Sequence, residues 1–172
     1  MQRNVEWYEH LDCLHGALER GGAFLTVNAS EGRANPMTIG WGQVGMVWNR
    51  PVFTVLVRES RYTYNCICEA DAFTISVPRA GDFSDALALC GSRSGRELDK
   101  VAEAGLTLLA GQAVAAPVIE GCLQYYECRI LARTQQARPN FASTDVLNQF
   151  YRNGDHHLVV FGEIVAAYAE EA

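Results

Sequence analysis

The sequence predicts a mainly β protein, an antiparallel barrel surrounded by a few short helices. About seven apolar, β-branched segments follow one another at short spacing, with about three helical segments between them. The regular strand–helix alternation of a doubly wound parallel sheet is missing. Closing an antiparallel sheet into a barrel would also remove exposed strand edges, which otherwise pair with other chains.

The first half of the chain is predicted from its apolar periodicity. Helical spacing over residues 7–20 indicates a leading helix, which Gly21 and Gly22 end as a C-terminal cap. The apolar run 24–29 and the turn residues 31–35 predict a hairpin. The segments expected next are a glycine-interrupted strand over 37–47, a strand over 52–57, a helix over 61–70 and a strand over 73–77.

The second half contains one expected helix cap. Ser94 and Glu97 have the spacing of a capping box, so a helix is expected to begin at Ser94 and to end near Gly105. The other expected elements are a helix over 83–90, short strands at 106–109 and 116–119, a long strand over 123–132, a loop with some helix around 144–151, and a last strand over 158–165.

Composition limits the class of protein. The 172 residues are expected to form a single domain, 1–172, with the leading helix in residues 1–21. The formal net charge of −6 argues against nucleic acid or an anionic membrane as the main partner. No stretch has the length of a signal or a membrane span, so a cytoplasmic protein is expected. The six cysteines include no Cys-x-x-Cys pair and are interpreted mostly as buried thiols.

Two neighbouring stretches combine features of a binding site. Residues 34–49 carry no charge but include hydrogen-bonding side chains such as Asn35, Thr38 and Trp41, a composition typical of a pocket wall. Residues 58–63, at the end of a predicted strand, gather guanidinium and hydroxyl groups, which suit a phosphate.

A glycine pattern within this region is interpreted as a false match. Residues 40–45 read Gly-x-Gly-x-x-Gly, but the dinucleotide fingerprint needs a helix to open at the third glycine. Residues 46–51 lead into a turn instead. The glycines are therefore expected to allow close approach to a flat ring system or to form a bulge.

Several motifs occur in a fixed order along the chain: NPMTIGWG at 35–42, Pro51, RESRYTY at 58–64, GSRSGR at 91–96 and the pair Asp99 and Lys100. In these motifs the chain resembles the flavin reductase-like proteins, especially their flavoredoxin branch, over about residues 22–167. The resemblance implies an FMN-binding split β-barrel, a Greek-key antiparallel barrel with short peripheral helices, that works as a homodimer.

The resemblance also implies three cofactor-binding segments. The first would line the isoalloxazine ring, the second would meet the ribityl phosphate, and the third would add a helix N-terminus and an ammonium group. The implied residues are Asn35, Met37, Thr38, Ile39 and Trp41 in the first segment, Arg58, Ser60, Arg61, Tyr62 and Thr63 in the second, and Ser94 and Lys100 in the third.

Each segment has a plainer alternative interpretation. The first fits an ordinary barrel strand with a buried tryptophan, and single residues of the second fit a solvated turn. The capping box at Ser94 by itself shows only where a helix starts.

An Asp-His pair precedes the last strand. The resemblance implies that one histidine lies near the flavin or the incoming substrate, and His156 is preferred over His157 as the candidate catalytic residue. A polar turn with incidental imidazoles is the alternative. A His-His metal site lacks a third ligand nearby, so no metal site is predicted.

The sequence shows no nucleophile–base arrangement, so a bound flavin would carry the chemistry. The hypothesis is an oxidoreductase that passes electrons from NAD(P)H through bound FMN to a small-molecule or protein acceptor. NAD(P)H is expected to bind in the open face above the FMN, held mostly by stacking. Two alternatives remain: an electron carrier that holds FMN and is reduced by a protein partner, and an interaction module that has lost its flavin.

Overall fold

A computed structural model describes residues 2–29 and 32–170, and within these ranges strands predominate. The strands are β1 (Gln2–Asn4), β2 (Ala23–Asn28), β3 (Ala34–Ile39), β4 (Gly42–Val47), β5 (Arg50–Arg58), β6 (Ala72–Val77), β7 (Leu108–Leu109), β8 (Val118–Ile119), β9 (Gln124–Gln135) and β10 (His157–Glu170). The α-helices are α1 (Leu11–Arg20), α2 (Tyr62–Glu69), α3 (Ser84–Ser92), α4 (Lys100–Glu103) and α5 (Thr144–Phe150), and a 3-10 helix spans Arg138–Asn140.

One antiparallel sheet organises the described chain. Its strands follow the order β3-β2-β6-β9-β10-β5-β4, and β1 pairs with the far end of β10. The two end strands, β3 and β4, are consecutive in the chain and only Gly40 and Trp41 separate them. The sheet therefore curls until its ends meet at this connection, which is the split of a split barrel. The predicted antiparallel barrel with peripheral helices is confirmed.

Two apolar clusters lie on opposite faces of the sheet. The barrel interior contains Phe53, Phe73 and Tyr126, all fully buried. The second cluster packs Tyr125 and Tyr168 under α3 and the small β7–β8 sheet. Because both faces are covered there, neighbouring residues of β2 and β6 are buried in continuous runs instead of alternating with exposed ones.

The predicted elements correspond to observed ones, with three changes of extent. The leading helix begins at Leu11, since a strand and turns precede it. The glycine-interrupted strand is divided completely into β3 and β4. The last strand is longer than predicted, because β5 pairs with its first half and β1 with its last residues. Residues 30 and 31, in the expected hairpin turn, lie outside the described residues.

The prediction that a helix begins at Ser94 is wrong. The helix that follows starts at Lys100, and Asp99 caps it: Asp99 Oδ1 accepts hydrogen bonds from the amides of Val101 (3.0 Å) and Ala102 (3.2 Å). Ser94 Oγ accepts only from the Arg96 amide, at 3.3 Å, within a turn. None of the helices in the described residues is long and apolar enough to cross a membrane.

Candidate functional site

A cavity of about 230 Å³ opens beside the end of β3, where the chain crosses to β4. We call it the strand cavity. The backbone of residues 37–41 forms one wall, and side chains from the end of β5 and the start of β10 form the other. Its lining residues are Met37, Thr38, Ile39, Gly40, Trp41, Leu56, Arg58, Arg61, Gly91 and His157.

A narrower cavity of about 70 Å³ adjoins it, and we call it the lysine cavity. Met37 and Arg61 line both spaces, so the two form one cleft with a wide and a narrow end. The narrow end is polar and carries positive charge. Its lining residues are Met37, Ser60, Arg61, Tyr62, Thr63, Cys90, Ser92, Arg93, Ser94, Gly95 and Lys100.

Lys100 gives the lysine cavity its chemical character. It is the only lysine of the chain, and just 4% of it is exposed. Its ammonium Nζ donates one long hydrogen bond, 3.5 Å, to the Cys90 carbonyl, and within the described residues it forms no ion pair. Burial lowers the pKa of Lys100, and the nearby Arg61 guanidinium lowers it further. A buried ammonium without a counter-charge favours binding of an anion.

The amino end of α2 lines the same cavity. Arg61 precedes the helix in extended conformation, no side chain caps the helix, and its first turn contains no acidic residue. The first amides of a helix lack intrahelical partners and attract anions. Next to this helix end, Asn35 Nδ2 donates to Thr63 Oγ1 at 2.8 Å, while the buried Asn35 Oδ1 has no partner.

Arg58 and Ser60 line the cleft and also hold a neighbouring segment in place. Arg58 Nη1 donates to the Asp155 carbonyl at 2.6 Å, and its Nη2 donates to the Phe150 carbonyl at 3.1 Å. Ser60 donates from its hydroxyl and its amide to the Asp155 carboxylate, at 2.7 and 3.1 Å. These bonds hold residues 141–156, which contain α5, against the end of β5. We call residues 141–156 the α5 segment.

The structure brings His157, and not the preferred His156, to the cleft. His156 stacks on Tyr151, with ring centroids 5.2 Å apart, and its buried Nε2 has no partner. His157 is the first residue of β10, pairs with Arg58 in the sheet and lies 5.3 Å from the Trp41 ring. Trp41 in turn contacts Phe150 edge-on at 5.1 Å. Aromatic rings therefore border the wide end of the cleft.

His157 is neutral at pH 7, and a chain of hydrogen-bond contacts holds its ring. Burial, reinforced by the charge of Arg58, lowers its pKa to about 4. The Tyr151 hydroxyl lies 3.2 Å from Gln136 Oε1, which can only accept, and 2.8 Å from His157 Nδ1. The Tyr151 hydroxyl therefore bridges His157 Nδ1 and Gln136, and this chain of contacts fixes the orientation of a ring that also lines the strand cavity.

The low pKa of His157 predicts a loss of stability in mild acid. An unfolded histidine takes up a proton near pH 6.5, whereas the folded one resists until about pH 4. The stabilisation is thus complete above pH 6.5 and is lost as the pH falls toward 4, by up to about 3 kcal/mol. In urea unfolding across this range, His157→Gln should show a flatter pH dependence than the wild type. The exposed His15→Gln should keep the wild-type slope, and an equal slope in both variants would contradict the assignment.

The described structure brings the residues predicted for the cofactor together. Eleven of the twelve line the cleft: Met37, Thr38, Ile39, Trp41, Arg58, Ser60, Arg61, Tyr62, Thr63, Ser94 and Lys100. The twelfth, Asn35, lines a small space next to Lys100 and hydrogen-bonds to Thr63. Sequence reasoning missed Leu56 and Cys90, whose apolar surroundings read as ordinary core. Gly91 was noted only as part of a motif.

Fold and cleft together define a class: a split β-barrel with an elongated cleft that ends in a cation site. A family model described as "Flavin reductase like domain" matches residues 15–172. The chain therefore belongs to the flavin reductase-like domain family.

Solved structures agree with this assignment. Flavoredoxin of Desulfovibrio vulgaris (Miyazaki F) superposes with a TM-score of 0.70 at 24% identity, over 88% of this chain and 70% of that one. Flavoredoxin from Methanosarcina acetivorans has a TM-score of 0.67 at 28% identity, over 88% and 69% of the two chains. The FMN-binding protein from Thermus thermophilus, with bound 1-cyclohex-2-enone, has a TM-score of 0.67 at 27% identity, over 89% and 72%.

The residues of the cleft fit FMN. Its narrow end offers a buried, unpaired ammonium and free helix amides, the donors that a phosphate needs. The unpartnered Asn35 Oδ1 is an acceptor of the kind that a ribityl hydroxyl satisfies. Its wide end is a backbone wall with Trp41 and the neutral His157, which suits an uncharged planar ring.

Proposed function

We propose that this protein binds FMN in the cleft and passes electrons from NAD(P)H through the FMN to a small-molecule or protein acceptor. The observation that carries the proposal is Lys100. A single buried ammonium, with one long hydrogen bond and no ion pair among the described residues, lies beside the uncapped end of α2. Such a group is costly unless an anion of the ligand completes it.

In this proposal the residues of the chain bind and orient the cofactor. Bound FMN would supply the electron-transfer chemistry. Lys100 and the α2 amides would hold its phosphate, Arg61 would add positive charge between the two ends, and the backbone of residues 37–41 would support the ring. His157 lines the wide end with a neutral ring, and Arg58 holds the α5 segment against the end of β5.

Exposed apolar side chains support a homodimer as part of the proposal. Met46, near the end of β4, is 58% exposed, and Trp48, in the turn between β4 and β5, is 61% exposed. Large apolar side chains grouped on a surface mark interaction sites. We expect sedimentation to give a dimer for the wild type and a larger monomer fraction for Trp48→Ser. A monomeric wild type at micromolar concentration would contradict this part.

The cofactor is tested by the visible spectrum of the purified protein and by identifying the chromophore that heat releases. We expect stoichiometric FMN, or stoichiometric uptake of added FMN by colourless protein. If the protein neither contains nor takes up FMN, the proposal is overturned, and the remaining hypothesis is an interaction module without flavin.

The electron donor is tested separately. Under anaerobic conditions, NADH or NADPH alone should bleach the bound FMN at a catalytic rate. A yellow protein that neither nucleotide bleaches would be a carrier reduced by a protein partner, so this outcome would contradict the reductase and favour the alternative.

A further inference from the structure

A second and larger space, of about 540 Å³, lies on the other side of α3 from the cleft. The carboxyl end of α1, the loop after β6 and one face of α3 surround it, and we call it the arginine groove. Its floor is made of small and apolar residues, among them Ala17, Pro78 and Ala88. Its volume is in the range of small-molecule sites, roughly 300–1,000 Å³.

Two guanidinium groups border this groove. Arg20 comes from the last turn of α1, and Arg79 comes from the loop after β6. Within the described residues, neither forms an ion pair or a hydrogen bond through its side chain. Arg20 folds back over Gly16, where an added Cβ would lie 2.4 Å from Nη2, so the glycine leaves room for it. In a chain of net charge −6, two unpaired guanidinium groups at one groove form a local anion site.

The groove adjoins the cleft. Thr38 and Gly91 line both the groove and the strand cavity, and Ser92 lines both the groove and the lysine cavity. The contact is tight, since an added Cβ on Gly91 would lie 3.3 Å from Thr38 Cβ. Thr38 Oγ1 also donates to the Leu87 carbonyl at 2.6 Å, so α3 packs on β3 here and a ligand that reaches both spaces must cross over this contact, at the exposed Ser92.

We propose that the arginine groove binds the adenosine diphosphate part of a pyridine dinucleotide whose nicotinamide enters the strand cavity. The two guanidinium groups match a pyrophosphate, the apolar floor matches an adenine, and the Asp82 carboxylate matches ribose hydroxyls. The inference rests on the proposed function and extends it. It assigns the anionic part of the electron donor to a groove with its own contacts, so that stacking of the nicotinamide is not the only interaction that holds the donor.

The test compares donors with and without that part. The FMN-loaded protein, the double variant Arg20→Gln/Arg79→Gln and the control Arg129→Gln are reduced anaerobically by NADH, NADPH or reduced nicotinamide mononucleotide. Arg129 is also an exposed arginine, with 62% of its side chain accessible, and it lies outside the groove, 4.0 Å from Glu163. We expect KM for both dinucleotides to rise at least about tenfold in the double variant, with kcat and FMN affinity unchanged. The mononucleotide should react equally with all three proteins.

An unchanged KM for the dinucleotides, or an equal rise for the mononucleotide, would overturn the inference while the proposed function stands. If no pyridine nucleotide reduces the flavin, calorimetric titration with ADP-ribose decides independently of turnover. Binding to the wild type and the control, lost in the double variant, would support the groove. Absence of binding to the wild type, or equal binding to the double variant, would overturn it.

Discussion

Lys100→Met is expected to weaken FMN binding by about 1–3 kcal/mol, the range of hydrogen bonds to charged groups. The variant removes the ammonium that the structure leaves buried with one 3.5 Å hydrogen bond. The apo protein should not lose stability, because methionine fills a similar volume without the cost of burying a charge, the cost that lowers the pKa of Lys100. Titration of apo protein with FMN, followed by flavin fluorescence, measures the first effect, and thermal unfolding of apo protein measures the second.

Two comparisons make this result specific. Arg138→Met removes one positive charge from an exposed position outside the cleft and should leave FMN affinity unchanged. Arg58 is less suitable, because its bonds to the Asp155 and Phe150 carbonyls also hold the α5 segment. A Lys100→Met protein that unfolds more easily but binds FMN normally would show that the lysine is structural.

Glu127→Gln is expected to destabilise the fold by about 2–4 kcal/mol, the largest effect we expect from exchanging a single atom. Glu127 is fully buried and its carboxylate accepts four hydrogen bonds. The donors are the amides of Gln112 (2.6 Å), Ala113 (2.7 Å) and Val114 (2.9 Å) and the Tyr168 hydroxyl (2.8 Å). A glutamine would turn an NH₂ toward some of these donors and leave them unsatisfied. Urea unfolding monitored by circular dichroism measures the change.

Tyr168→Phe provides the matched comparison. It removes one of the four donors and leaves the carboxylate in place, so the expected loss is about 1–2 kcal/mol. If Glu127→Gln cost no more than Tyr168→Phe, the loop amides would not depend on the carboxylate for their stability.

The strands were predictable where side-chain chemistry repeats locally. The apolar runs of β5 and β6 are bounded by turn residues, and their limits lie within one or two residues of the predicted ones. β10 extends well beyond its predicted end. The sequence pattern did not reveal this extension, because the last residues of the strand are small and show little alternation. Its pairing with both β9 and β1 stabilises them as strand. That contribution comes from residues distant in sequence, which a local pattern does not contain.

Glu127 shows a similar limit. Its alternation with Tyr126 and Cys128 places it on the face opposite theirs, which for a one-layer sheet would be solvent. The loop before β8 covers that face and supplies three amides, so the glutamate is buried. The sequence pattern reports which face a residue is on, but it does not report what covers that face.

The cleft was predictable as a set of residues and less so as a set of roles. The ordered motifs identified eleven residues that line the two cavities, and Asn35, which lines the small space beside Lys100. Two choices between near neighbours in sequence depended on the tertiary structure. Asp99 caps the helix instead of Ser94, and both residues have cap chemistry. His157 lines the cavity instead of His156, because strand pairing begins at His157.

The position of the only lysine also determines how the protein meets a lysine-specific protease. Such an enzyme has one bond to cut in this sequence, the one after Lys100. The Lys100 side chain is almost entirely buried. Cleavage therefore requires the lysine cavity to open, and its rate counts opening events at this one place. The rate at which the chain is cut into two fragments therefore measures local opening at the narrow end of the cleft, without any label. Any molecule that binds there will slow it.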